Sequence, residues 1–314
     1  MGSNVLVSGL TIVRNGRRLD YPFVEVIRSA LSICDEFIAV VGQSDDDTLE
    51  RIRAIDDPRL RIVETVWSEK VQPQRSVLAQ QTNIGLHLCQ GDWCLYLQAN
   101  EVLHERSYGI LRELMEKYRK DERVEAMLLE RLTFWADYKH YIATYPSRFK
   151  YSPRIVRPHI GMYSIRDAMF FAVFDGFSTR GRYPRAIDTG EDIYRYGFVH
   201  SWEKQAEKFR DAVHHREKDR QAPKDYYLRT HPRSFIRRFT GTHPGVMRER
   251  VANFPEQYDE QDPRCRRALT LKNRQRLWET RIYERFGVPR WRHVPYKLVL
   301  GGYRPKNRTV DPNE

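Results

Sequence analysis

Four short runs of apolar and β-branched residues, each separated from the next by a turn and a stretch of helical periodicity, constrain the first hundred residues most. Val5 to Val13 opens the series and ends at Asn15-Gly16, a tight-turn pair. Pro22 then stands at a first helical turn, and Phe23, Val26, Ile27, Ala30 and Leu31 recur at helical spacing. Phe37 to Val41, Arg59 to Thr65 and Trp93 to Leu97 read as further strands, with helices from Asp47-Thr48 and over Ser76 to Leu88. Such runs lack polar alternation, so both faces are buried, and strands of that kind belong to parallel sheets joined by helical crossovers. The chain is therefore expected to be α/β, with a mostly parallel central sheet and helices on both faces. Ligands of such sheets bind at the carboxyl ends of the strands. Two polar clusters fall there, Gln43-Ser44-Asp45-Asp46-Asp47-Thr48 and Gln98-Ala99-Asn100-Glu101.

Beyond a helix expected from about His104 to Arg119 and a strand from Ala126 to Leu132, the pattern becomes irregular and aromatic-rich up to about Phe177. Trp202, Ala206, Phe209 and Val213 form one stripe of a basic amphipathic helix expected over 203–220. The 314 residues carry a net charge of +12, and it is unevenly placed. Residues 1–150 hold 20 Lys+Arg against 22 Asp+Glu, and residues 151–314 hold 34 against 20. A basic second half favours polyanionic partners: a nucleotide diphosphate, an anionic membrane face, a charged glycan or a nucleic acid. A solvated arginine-rich surface is the plainer alternative. No apolar run approaches the roughly 18 residues of a spanning helix. The start lacks the pattern of a secretory signal and of a full myristoylation site, so the expected location is cytoplasmic, with peripheral membrane contact open. Cys34, Cys89, Cys94 and Cys265 lack metal-site spacing and are expected to be reduced.

Several segments taken in order resemble the family 2 glycosyltransferases, which use the nucleotide-sugar-binding GT-A fold. They are Ser8-Gly9-Leu10-Thr11-Ile12-Val13-Arg14-Asn15-Gly16, Ser44 to Thr48, Ala79-Gln80-Gln81-Thr82-Asn83, Gly91-Asp92-Trp93, and Gln98 to Val102. Gly241-Thr242-His243-Pro244 with Val246-Met247 is similar to the same subgroup, which carries a Gln-Ala-Asp/Asn-Glu motif. The resemblance implies a GT-A domain over 1–200, with a nucleotide-binding half at about 1–103 and an acceptor half at about 104–200. A basic, mainly helical extension would follow over 201–314. It implies an inverting hexosyltransferase-type enzyme that moves a sugar from a nucleotide-diphosphate donor, a UDP-sugar, to a hydroxyl of a glycan or other acceptor.

By this resemblance Asp45 or Asp46 holds the base and ribose, with Thr11, Val13 and Arg14 beside the base, and Gln81, Gln98, Ala99 and Asn100 lie along the donor. Carboxylates suit the base N–H and ribose hydroxyls because they accept hydrogen bonds. Most of the family holds Mn²⁺ or Mg²⁺ with an Asp-x-Asp motif, but here Gln98 and Asn100 offer neutral carbonyls, whereas hard cations favour charged oxygen. Three readings stay open: a metal held through Asn100, Glu101 and His200; metal-free transfer with arginines as the counter-charge; or loss of transfer. An inverting transfer needs a carboxylate base. Asp167, after the short strand Arg154 to Arg157, is preferred over Glu191 and Asp192, which resemble an acidic pair elsewhere in the family. His214-His215, Trp202, Trp278 and Trp291 are assigned to solvated or packing roles. The competing readings are a degenerate nucleotide- or glycan-binding domain and a nucleic-acid-directed protein.

Overall fold

Every residue of Val7–Val13 (β1) is buried, as a strand covered on both faces must be. In the computed structural model this strand is the centre of a parallel set formed with Glu36–Gly42 (β2), Leu60–Thr65 (β3) and Trp93–Tyr96 (β4). The structure describes residues 4–68, 76–143, 151–174, 176, 181–205, 233–263, 269–286 and 296–299. The crossover helices are Phe23–Leu31 (α1), Thr48–Arg53 (α2) and Ser76–Leu88 (α3), within a residue or two of the positions their sequence spacing indicates. Glu101–Leu103 (β5), Tyr108–Lys117 (α4) and Ala126–Thr133 (β6) follow. The irregular stretch resolves into His140–Ile142 (β7), Tyr151–Val156 (β8), Met162–Ile165 (β9) and Phe170–Val173 (β10). Arg185–Arg195 (β11), Ile236–Arg238 (β12), Arg248–Asn253 (α5), Leu271–Phe286 (α6) and Lys297–Leu298 (β13) complete the described elements.

The main sheet has the order β13-β11-β6-β8-β4-β1-β2-β3, with β5 paired to β11. β8 runs antiparallel to both β4 and β6 and β5 antiparallel to β11, and the other strands of the sheet share one direction. The period-two alternation of a strand then divides the interior into two cores. Phe37, Ala39, Val41, Trp93, Leu95, Met127 and Leu129 pack with α1 and α4 on one face. Ile38, Val40, Cys94, Tyr96, Ala126 and Leu128 pack with Leu86 of α3 and with β9–β10 on the other. Gly85 lets α3 lie directly on the sheet, because a Cβ there would come within 2.2 Å of Leu10. Cys34, Cys89 and Cys94 are free and buried, and Cys265 lies outside the described residues.

Residues placed by sequence in a separate extension join this core. Met247 is fully buried with α1, Arg250 of α5 reaches Asp20 and Glu25 at 2.9 Å each, and Gln257 donates to the carbonyls of Ala136 and His200 at 3.0 Å. The described part of 201–314 therefore mixes short strands and helices, and the helix expected over 203–220 lies largely outside the described residues. No described helix is long and apolar enough to cross a membrane.

Candidate active site

The loops after β1 and β2 are tied together by side chains from both. Asn15, in the left-handed region at φ 52°, accepts from the Asp45 amide at 2.8 Å and donates to the Asp45 carboxylate at 3.3 Å. Asn tolerates this conformation better than most residues. Arg14 donates to the Gln43 carbonyl at 3.0 Å, and its guanidinium lies 6.0 Å from the Trp67 ring. Trp67 in turn packs on Gly42, where a Cβ would meet its Nε1 at 2.3 Å. Asp46 accepts from the Arg18 amide at 2.7 Å and from the Thr48 amide at 3.1 Å. Burial alone would raise its carboxyl, but the bonds from Thr48 and Arg18 hold it below the usual range. Asp46 thus caps α2, a role expected of Asp47, whose side chain makes no cap bond. Of the two candidate nucleoside carboxylates, Asp45 presents most of its side chain to solvent, at 68% exposure. Thr11 is fully buried and donates to the Leu97 carbonyl at 2.8 Å, joining β1 to the end of β4, while Val13 belongs to the core. Gln81 is also buried, and its Oε1 has no hydrogen-bond partner among the described residues.

The Gln98-Ala99-Asn100-Glu101 turn leaves the carboxyl end of β4 and is closed by the Glu101 amide donating to the Gln98 carbonyl at 2.8 Å. Glu101 is fully buried, and Arg154 donates to both of its oxygens, at 2.8 and 2.9 Å. The local sequence explains how Arg154 gets there. Pro153 cannot donate to a sheet ladder, so a proline inside a central strand demands a bulge. The register of β8 against β6 shifts between Met127↔Ile155 and Leu128↔Pro153, leaving Arg154 as the extra residue. Such a bulge re-aims the side chain it carries. Arg131, also buried, lies 3.5 Å from Glu101. Burial tends to raise the Glu101 carboxyl, but the Arg154 and Arg131 guanidiniums more than offset this and hold it low. Arg131 is pushed well below the usual guanidinium range, first by burial and then by the charges of Arg195 and Arg154. Asn100 accepts from the Tyr196 amide at 2.8 Å through its backbone carbonyl, and its side-chain Oδ1 is buried with no partner among the described residues. A Cβ on Gly197 would lie 2.7 Å from Asn100 Nδ2 and 3.5 Å from Arg195 Cζ, so these two side chains meet over the glycine.

Asp167 sits at the tip of the β9–β10 hairpin, in a four-residue connection between Ile165 and Phe170. Its neighbours Arg166 and Ala168 both have positive φ, 60° and 56°. A non-glycine residue there costs on the order of 1–3 kcal/mol and persists only where surrounding contacts impose it. Two such contacts are visible. Asn83 of α3 accepts from the Ser164 amide at 2.6 Å and donates to the Ser164 carbonyl at 3.1 Å, holding β9 through its backbone. Met169 receives the Gln98 amide at 3.3 Å and approaches Arg131 at 3.9 Å. The hairpin tip therefore covers the Gln98 turn, and the charge of Asp167 acts on Arg131.

Glu191 and Asp192 are placed differently. Both lie at the bulge of β11, where Glu191 accepts from Ser107 and Asp192 accepts from Arg106 at 3.1 Å. In the β5–β11 ladder Arg195, not Asp192, stands opposite Glu101, three residue steps and about 10 Å further along the strand. They precede no helix, as expected from the strand-like sequence that follows.

A divalent metal, implied by the resemblance, does not fit these residues. The Glu101 carboxylate is engaged by Arg154 with Arg131 beside it, so the one anion of the motif already has two cationic neighbours. His200 accompanies neither Glu101 nor a carboxylate cluster: its Nε2 faces the Gly197 carbonyl at 3.2 Å and its Nδ1 lies 4.0 Å from Asp20. Among the described residues no three His, Cys, Asp or Glu side chains converge on a metal position. These contacts give Glu101 and His200 no shared ligand position. Arg131, Arg154, Arg195 and Trp67 were not singled out by sequence, although Arg154 stands beside Ile155-Val156 in a strand buried throughout.

No family model matches the sequence, and no curated relative matches it. Among solved structures the chain is similar to glucosyl-3-phosphoglycerate synthase from Mycobacterium tuberculosis in complex with Mn²⁺, UDP and glucosyl-3-phosphoglycerate, at 17% identity. That alignment covers 41% of this chain and 44% of the other, with a TM-score of 0.29. S. aureus TarS aligns at 13% identity over 72% of this chain and 43% of its own, with a TM-score of 0.40. A 1–349 form of TarS aligns at 12% identity over 72% of this chain and 71% of its own, with a TM-score of 0.39. The chain thus spans less than half the length of the first two.

Proposed function

We propose that the chain transfers a sugar, with inversion, from a nucleoside-diphosphate donor such as a UDP-sugar to a hydroxyl acceptor. The observation that carries this reading is the β9–β10 hairpin, whose tip carries Asp167 and sets nearby Met169 against Gln98 and Arg131 at the carboxyl end of β4. The loops after β1 and β2 supply a place for the nucleoside, with Asp45 as acceptor for base or ribose and Arg14 and Trp67 beside it. Gln81 Oε1 and Asn100 Oδ1 are buried acceptors without partners among the described residues, which a donor's N–H or O–H groups would satisfy.

In the proposed reaction Asp167 takes the proton of the acceptor hydroxyl as its oxygen attacks the anomeric carbon. The bond from that carbon to the diphosphate oxygen breaks, and the diphosphate leaves with the electron pair. Asp167 is preferred to Glu191 and Asp192 because its hairpin reaches the Gln98 turn, whereas those two lie at the β11 bulge. The basic second half favours a polyanionic acceptor or an anionic membrane face on charge alone.

The test is turnover against a panel of UDP- and GDP-sugars with mixed glycan acceptors. Asp167→Asn is expected to lower the rate about 10²- to 10⁴-fold while leaving nucleotide affinity intact; unchanged turnover removes Asp167 from the reaction. The neutral Gln98 and Asn100 favour a second reading, a nucleotide-binding protein without transfer. Tight nucleotide binding with no turnover against any donor would select it.

A further inference from the structure

Far from the motif turn in sequence, α6 carries a stripe of side chains turned to solvent. At about 100° per residue, Leu271, Arg274, Trp278, Arg281 and Arg285 fall within about 80° of one helix face and run about 21 Å along it. All five are exposed, Leu271 at 84% and Trp278 at 64%, and Phe286 at the end of the helix is 63% exposed. A single exposed apolar residue is ordinary, but three on one helix with guanidiniums between them make a patch of the kind that marks an interaction surface. Neither carboxylate of the helix lies on the stripe: Glu279 is buried, and Glu284 is held by Arg237 of β12 at 2.7 Å. Among the described residues no ion pair engages Arg274, Arg281 or Arg285, and Arg285 lies 5.5 Å from the Phe286 ring.

We infer that this face of α6 docks on an anionic membrane surface, with Leu271, Trp278 and Phe286 entering the headgroup region and the three arginines bound to lipid phosphates. An interfacial helix binds through buried apolar area together with attraction to anionic lipid, and both lie on one face here. Trp suits that boundary because its ring is apolar and its N–H polar, while an arginine stem lies along apolar surface and its guanidinium reaches the phosphate. A straight stripe meets a flat surface along its whole length. The apolar members separate a membrane from a nucleic acid. The phosphates of either would take the arginines and a base could stack on Trp278, but the aliphatic Leu271, the most exposed of the three, gains burial only in an apolar phase. The docking stands whether or not the chain transfers a sugar.

The experiment is co-sedimentation of the whole protein with phosphatidylcholine vesicles, with and without roughly one-third phosphatidylglycerol. Binding is expected only with the anionic lipid, and it should weaken about tenfold or more between about 0.1 and 0.5 M salt as the screening length shortens. Each arginine near the surface contributes about fivefold, so Arg274→Gln, Arg281→Gln and Arg285→Gln together should lower partitioning about 100-fold. Trp278→Ala should lower it about tenfold. The matched control removes equal charge at Arg28, Arg61 and Lys120, which are exposed on other elements, and should change binding by less than about threefold. Should the α6 variants fail to melt cooperatively, hydrogen exchange on the unmodified protein serves, and anionic vesicles should slow exchange over 271–286. Equal loss from the control and the α6 variants, no binding to anionic vesicles, or vesicles that leave exchange over 271–286 unchanged overturns the inference. Tighter binding to a duplex RNA than to the anionic vesicles, or a self-association that Trp278→Ala dissolves, assigns the stripe to another partner and overturns it as well.

Discussion

Replacing Glu101 by glutamine keeps its shape and removes its charge. In the native protein that carboxylate accepts two bonds from Arg154 at 2.8 and 2.9 Å and has Arg131 at 3.5 Å, all with little or no solvent access. Glu101→Gln therefore strands two buried guanidiniums, a change that typically costs about 3–5 kcal/mol. At roughly 2 °C per kcal/mol for a chain of this size, the midpoint should fall by about 6–10 °C. The second half of the test is the double variant with Arg154→Met. Removing both members of a buried pair is far milder than removing one, so the double variant should be about 2 kcal/mol more stable than the sum of the singles. Differential scanning calorimetry and urea titrations of the four proteins measure both quantities. The charge also has a pH signature. Because the folded carboxyl is held below the ordinary glutamate value of 4.5, its stabilisation is present above that pH and is lost as pH falls toward the folded value. A Glu101→Gln protein within 1 kcal/mol of the parent, or singles that simply add, would refute the account of the buried pair.

Two further outcomes test the surroundings. His243 is held neutral, its pKa lowered to about 4 chiefly by burial, with Nε2 donating to the Tyr138 carbonyl at 3.0 Å and Nδ1 facing the Tyr196 hydroxyl at 2.8 Å. Between the usual histidine value of 6.5 and about 4 the unfolded chain binds a proton that the folded one does not. Stability should therefore fall across that window, by about 2–3 kcal/mol, when followed by urea titration; a flat profile that His243→Phe does not alter would remove the residue from this role. Gly197→Ala places a methyl group 2.7 Å from Asn100 and should cost about 1–3 kcal/mol while displacing that side chain. Nucleotide affinity measured beside the melt should fall with it, and an unchanged affinity would separate Asn100 from the donor.

The first four strands and their helices were legible because they are local: runs of Val, Ile and Phe bounded by Gly and Asp need no distant partner to be recognised. β9 and β10 were missed because Met162–Ile165 and Phe170–Val173 are short and become strands only by pairing with each other against α3. Motif positions were legible in the same way, so Gln98 to Glu101 falls where strand periodicity puts it. The partners were not. Nothing local to Pro153-Arg154 says that a bulge against β6 will send the arginine to Glu101, 53 residues earlier in the chain. Glu101 shows the consequence: a carboxylate in a motif reads as a metal ligand until the guanidinium bound to it is seen.

Asn83 joins two tasks that modular thinking would keep apart. Its helix packs on β1 and β2, and its amide grips the backbone of β9, not a side chain, so the grip is indifferent to what residue 164 is. The grip is thereby separate from the side-chain packing, in which Met162, Phe171 and Val173 of the hairpin join the core beneath it. Grafting a foreign hairpin onto this scaffold should consequently demand two things at once, that peptide unit within reach of Asn83 and apolar residues at those three positions.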